Sequence, residues 1–187
     1  MLQRILTHGV VAGLVVGTAL FVTTVLTGGQ PPPDYGMAVG YLTMLVALSA
    51  VFVGIKRHRD LDRGGVIRFW PAFGMGLGIS AVAGVLYVLS WELALLVIPT
   101  DFAETFAAAM LERQRDKGLD AEALAAYAAE METFKAYYAN PLFRMPMTFA
   151  EIFPVGVLVS LVSAAVLRNP RVLPARRGEA LPAAGRD

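Results

Sequence analysis

Cysteine is absent from this chain of 187 residues, which excludes disulfides, thiolate metal sites and cysteine catalysis. Histidine is nearly absent: His8 and His58 are the only two. They lie far apart in sequence, so no histidine-rich metal centre is expected and no metal site is assigned. Charge is thin as well, at 17% of residues, where soluble domains carry about a quarter. The net charge of +1 averages over segments of opposite character and gives no basis for a nucleic-acid partner.

What the chain has instead is apolar sequence, 56% of it, gathered into four long runs. That pattern predicts an all-α polytopic membrane protein with four transmembrane helices. The first span covers about 5–26, with His8 as its only ionisable group. At ~1.5 Å per residue it reaches about 33 Å, enough for a hydrocarbon core of about 30 Å. A cleaved signal peptide is the rival, but its apolar stretch should be about 7–15 residues long and end in a small-x-small site. Here Thr27-Gly28-Gly29-Gln30 leads into three prolines. Pro31 to Asp34 then make a short stiff connection, with Tyr35 as an interfacial anchor. The second span, 37–55, ends at Lys56-Arg57-His58-Arg59-Asp60, and the pair Gly64-Gly65 marks a turn. Phe69-Trp70-Pro71 reads as an interfacial re-entry, Pro71 lying near a helix start. The third span, 72–98, carries one charge, Glu92, and Pro99 ends it.

From 100 to 140 the composition changes to that of a helical hairpin outside the bilayer. Asp101 with Glu104 resembles an N-terminal cap, and Lys117-Gly118 a C-terminus. A second helix starts at Asp120. Its apolar residues Leu124, Tyr127, Met131, Phe134 and Tyr138 recur at intervals of three and four, which puts them on one stripe. Phe102, Phe106, Ala109 and Met110 form a comparable face on the first helix. Such faces close on each other, on loops or on a partner. Asn140-Pro141 breaks the hairpin, the fourth span follows at 147–167, and 170–187 reads as a disordered tail.

Basic residues orient the chain. Eleven of the sixteen lie before span one, between spans two and three, or after span four. The segment 100–146 has five against eight acidic residues. An even span count makes all three basic segments agree. Both termini are therefore expected in the cytoplasm, and 100–146 outside it.

Each span carries small residues at four-residue intervals, such as Gly9, Gly13 and Gly17, or Gly156, Ser160 and Ala164. In lipid such stripes let helix backbones approach. Packing within one bundle is the plain explanation. A homodimer through the glycines of span one is the sharper one. The basic loop (Lys56, Arg57, Arg59, Arg63) either sets topology or contacts anionic head groups, each exposed cation contributing about 1 kcal/mol. Gly64-Gly65 alone is no phosphate loop. Carboxylates inside a membrane are costly, so Glu92 and Glu151, with Tyr41 as a polar partner, form the candidate polar membrane site. For Glu151 there is a structural alternative: Thr148-x-x-Glu151 fits a capping box at the start of span four.

Three stretches together carry a resemblance. They are Gly40-Tyr41-x-x-Met44 running to Gly54-Ile55-Lys56; Arg59-Asp60 with Gly64-Gly65-x-Ile67-x-Phe69-x-x-Ala72-Phe73; and Thr148-Phe149-x-Glu151-Ile152-x-Pro154-Val155-Gly156 running on to Ser160-Leu161 and Ser163-Ala164. The chain resembles, over roughly 1–169, the bacterial membrane family catalogued as domain of unknown function 4199. The resemblance implies a four-span protein of the bacterial inner membrane without an established activity. It also implies that Glu151 and the Gly-Gly loop belong to the common pattern.

No nucleophile–base pair, metal-ligand cluster or nucleotide motif stands out, which argues against an enzyme and against a cofactor. A non-enzymatic interaction or accessory module in the lipid bilayer is the leading expectation, with a membrane-protein partner or a second copy of the chain. The alternative is a small transporter or proton-coupled carrier using Glu92 and Glu151, although four spans are few for a carrier that does not dimerise.

Overall fold

A computed structural model describes residues 1–30 and 36–175. The connection at 31–35, with its prolines and Tyr35, lies outside the described residues, as does the tail from 176. Among the described residues six α-helices account for the fold: α1 (Leu2–Leu26), α2 (Gly36–Arg57), α3 (Phe69–Val97), α4 (Phe102–Asp116), α5 (Ala121–Tyr138) and α6 (Pro141–Leu167). A π-helical turn, His58–Asp62, extends α2. Among the described residues there is no strand. Helices α1, α2, α3 and α6 are long and apolar enough to cross a membrane. The protein is an all-α polytopic integral membrane protein, and α4 and α5 form a hairpin between its third and fourth spans.

The apolar side chains show what solvent this fold was built for. Val11, Leu14, Leu42, Val46, Leu89, Leu158 and Val162 all point outward and are exposed. In a helix bundle surrounded by water that pattern would be costly; against lipid tails it is neutral. Trp70 at one end is exposed, as are Tyr137 and Phe143, in tilted ring contact with each other, at the other. Amphipathic rings at both ends suit the two membrane–water interfaces.

Because lipid gives no hydrophobic drive between helices, the interior is held by close approach of small residues. Helix α3 is the central element and packs on α1 and α6, while α2 closes the far side against the same two helices. Gly9, Gly13 and Gly17 of α1 face Val82, Leu86 and Ser90 of α3, and a Cβ added at Gly13 would lie 2.7 Å from Leu86 Cβ. The glycines of α1 are thus engaged inside the bundle, and the homodimer stripe expected from them is not free. Between α3 and α6 the arrangement is reciprocal: Gly76 meets Ser160, and Ser80 meets Gly156. Ser160 Oγ donates to the Gly156 carbonyl at 2.7 Å, which leaves Ser80 to donate across the interface at 3.3 Å.

Helix α6 starts at Pro141, earlier than the residue 147 expected for span four. Asn140 accepts from the Leu142 amide and caps the helix. Pro141 sits in the first turn, where a missing N–H costs nothing. Pro146 and Pro154 lie within the helix. The early start lengthens the fourth span by more than a turn and carries Arg144 with it.

Candidate functional site

Two polar sites sit at opposite ends of the bundle. At the end that bears the hairpin, Glu92 projects from the last third of α3. Helix α6, entering at the same depth, aims Arg144 at it. Arg144 Nε and a terminal nitrogen donate to the two carboxylate oxygens at 2.8 and 2.5 Å. This is the bidentate geometry that makes arginine–carboxylate pairs strong. Both side chains are largely enclosed, 15% and 18% accessible. The other terminal nitrogen of Arg144 donates to the Tyr138 carbonyl at 3.2 Å, and the guanidinium lies 5.6 Å from the Tyr138 ring centre. Glu92 therefore finds its partner in Arg144, and Tyr41, expected to serve it, is half exposed at 50%. Arg144 escaped sequence reasoning because the sequence groups it with the segment 100–146. A buried carboxylate with no cation on its own helix was the available signal.

The hairpin closes over this pair. Trp91 Nε1 donates to the Tyr138 hydroxyl at 2.7 Å, and both residues are buried. Burial pushes the Tyr138 hydroxyl above the ordinary tyrosine range, against the opposing effects of Trp91 donation and Arg144 charge, so it stays neutral. Phe102 and Phe106 of α4 lie a helical turn apart, as do Phe134 and Tyr138 of α5. The four rings make a closed circuit, each to the next at 5.1–5.8 Å between centres, with Trp91 set edge-on to Phe102 at 4.8 Å. The stripe on α5 behaves as its spacing predicts. Leu124, Tyr127, Met131 and Phe134 are half-buried and Tyr138 is buried, while Glu122, Glu130 and Glu132 are exposed. Those faces close on each other and on α3. Asp101 and Asp120 cap the two helices by accepting from Glu104 and Ala123 amides.

Below the ring circuit lies a pocket of about 170 Å³ whose walls include Leu20, Tyr87, Met147 and Glu151. Glu151 is exposed and stands at the edge of this pocket as one of its lining residues. The Tyr87 hydroxyl donates to it at 3.3 Å. The expected capping box does not form. Thr148 lies well inside α6, is buried, and donates its hydroxyl to the Arg144 carbonyl. Glu151 is consequently free of the backbone. It does not hydrogen-bond Glu92 either; each carboxylate has its own partner.

At the other end the basic loop divides. Arg59 is fully buried. It donates to Asp60 at 2.7 Å and to the carbonyls of Leu167, Val172 and Leu173 at 3.4, 2.9 and 2.5 Å. It therefore cannot reach lipid head groups, contrary to expectation. It fastens the chain just after α6, so residues 170–175 of the tail expected to be disordered follow a defined path. Leu173 adopts φ of 47° there, turning its carbonyl into the clamp. Lys56 pairs with Asp60 at 2.6 Å. Arg57 and Arg63 remain exposed. Asp62 accepts from Arg4 at 2.6 and 2.7 Å and from His58 at 2.7 Å, joining α1 to the π-helical turn. His8 bonds the Arg4 carbonyl of its own helix. Among the described residues, no cluster of three metal-ligating side chains occurs.

Residues 7–169 match the family described as "Protein of unknown function (DUF4199)". No curated protein and no solved structure matches the chain. The chain belongs to the DUF4199 family.

Proposed function

We propose that this member of the family is a non-enzymatic membrane module that holds a helical hairpin rigidly on an intramembrane anchor, for recognition by a membrane-protein partner. The observation that carries this reading is the double fastening of the hairpin, Glu92 to Arg144 and Trp91 to Tyr138. Both links join the bundle to the base of the hairpin, so its orientation is fixed. The aromatic faces of α4 and α5 are turned inward, which leaves their charged faces for the partner. The hairpin's exposed charges are net acidic, with Glu112, Asp116, Asp120, Glu122 and Glu130 outnumbering Arg115 and Lys117. Lys135 is already shared between Glu104 and Glu132. A basic, polar partner surface complements it. The basic-residue asymmetry supports both termini on the cytoplasmic side and the hairpin on the far side, and the family resemblance implies the bacterial inner membrane. Affinity purification from native membranes tests the proposal. A partner that co-purifies with the native chain should be lost from an Arg144→Met variant that still inserts. Equal recovery with both would refute the role of the fixed hairpin.

The carrier alternative keeps one specific support. Glu151 lines a pocket and is not ion-paired among the described residues, whereas Glu92 is occupied by Arg144. A proton-linked cycle would therefore run through Glu151 alone. Proton uptake by proteoliposomes that disappears in Glu151→Gln would favour it.

A further inference from the structure

The pocket beneath the hairpin combines two features that belong together chemically. Its walls are aromatic: Tyr87, Trp91, Phe102, Phe106, Phe134 and Tyr138. Its one acidic side chain, Glu151, has a single hydrogen bond among the described residues, from Tyr87, and that bond is long at 3.3 Å; hydroxyl-to-oxygen bonds centre near 2.7–2.8 Å. About two turns along α6 from it, Arg144 and Glu92 cancel each other at 2.5 Å. The local balance is thus one carboxylate with no ion pair among the described residues, lining a pocket whose other walls present π-faces. Intramembrane carboxylates are costly without a cation, and aromatic faces attract cations through their quadrupole. Trp91 and Tyr138 already satisfy each other's polar groups, so what they offer a ligand is ring surface.

We infer that this pocket binds a small organic ammonium ion, with Glu151 as the counter-charge and the rings of Phe102, Phe106, Phe134 and Trp91 as the cage. Size limits the ligand. The volume of about 170 Å³ equals the liquid share of about six waters, well below the roughly 300–1,000 Å³ of drug-sized sites. A methylated ammonium head group or a primary amine fits; a large solute does not. An anion is disfavoured by Glu151. A neutral apolar ligand would leave the carboxylate uncompensated. The ammonium ion comes either from the water phase or from the head group of a lipid, and the chemistry is the same. This inference does not depend on the hairpin having a protein partner.

Tryptophan fluorescence tests it on the full chain in a maltoside detergent. The protein has two tryptophans, and Trp70→Phe leaves Trp91, in the pocket wall, as the reporter. Choline should produce a saturable change. Its neutral carbon isostere, 3,3-dimethylbutan-1-ol, should bind at least about tenfold more weakly, a difference of about 1.4 kcal/mol. Glu151→Gln should remove that preference. Equal binding of the two probes, or no saturable response to choline, overturns the proposal without reference to any variant's folding. Nanodiscs then separate the two sources. If phosphatidylethanolamine suppresses the choline response relative to phosphatidylglycerol alone, the ligand is a lipid head group. If the response is unchanged, it is a soluble ammonium compound.

Discussion

Glu92 and Arg144 stand 52 residues apart in the chain, on opposite sides of the hairpin, and meet through two hydrogen bonds of 2.8 and 2.5 Å. One residue is the third span's only charge and the other lies in the first turns of the fourth. Their pairing therefore draws together the two strands of chain from which the hairpin leaves and to which it returns. Tyr138, at the hairpin's last turn, accepts from Trp91 and lends its carbonyl to Arg144. The hairpin is a continuation of the bundle rather than a loose appendage.

Removing one partner should therefore hurt more than removing both. Arg144→Ala leaves an enclosed carboxylate without its cation, and a loss of about 3 kcal/mol in unfolding stability is expected, the low end for a buried pair. Glu92→Leu combined with Arg144→Met should recover most of that loss. Thermal unfolding in detergent measures both, and a double variant as unstable as Arg144→Ala would contradict the pairing energetics.

The interior contacts of α1 predict a sharp positional contrast. Gly13→Val puts a side chain where a Cβ alone already lies 2.7 Å from Leu86, and overpacking of that kind costs about 1–3 kcal/mol. Gly40, with nothing within 4 Å of its added Cβ, should accept valine within about 0.5 kcal/mol. Comparable losses at both sites would mean that the glycines of α1 do not face α3.

Two kinds of arginine share the basic loop. Arg59→Gln should release the segment after α6, seen as faster hydrogen exchange and proteolysis around Val172, because its donors hold that backbone. Arg57→Gln and Arg63→Gln should leave the segment protected. Each of these should instead weaken binding of a short-chain anionic lipid to the detergent-solubilised protein by about fivefold, or about 1 kcal/mol. An Arg59 variant that behaved like the other two would refute the division.

The absence of native cysteine makes topology straightforward to probe. Single cysteines at Ala123 and Ala175 should differ in intact cells, with the first labelled by an impermeant maleimide and the second protected. Labelling at Ala175 would overturn the proposed orientation.

The spans and the α5 stripe were legible because each depends on local periodicity. Leu124 to Tyr138 needs only the helical repeat to define its face. The partners of Glu92 and Arg59 were not, because both depend on tertiary arrangement. Asn140-Pro141 reads as a breaker, yet a capped helix start accepts the proline, and α6 continues through Pro146. Arg144, which the sequence groups with the segment 100–146, therefore sits in the helix that forms the fourth span. Arg59 lies in a run of charges that reads as a solvated surface. Only the π-helical turn and the returning segment at 172–173 bury it. Thr148-x-x-Glu151 has the spacing of a capping box, but the helix had already begun upstream, so the motif had no terminus to cap.

The central claim is that the outward face of a fixed hairpin meets a protein partner. Photo-crosslinking in native membranes tests it by position, with the same reactive side chain placed at Glu122, Glu130 and the lipid-facing Leu158. Discrete protein adducts at the two hairpin sites, absent at Leu158 and lost from the hairpin sites when Arg144 is replaced by methionine, are the predicted result. Adducts to lipid or water alone at Glu122 and Glu130, with the native ion pair intact, would contradict it.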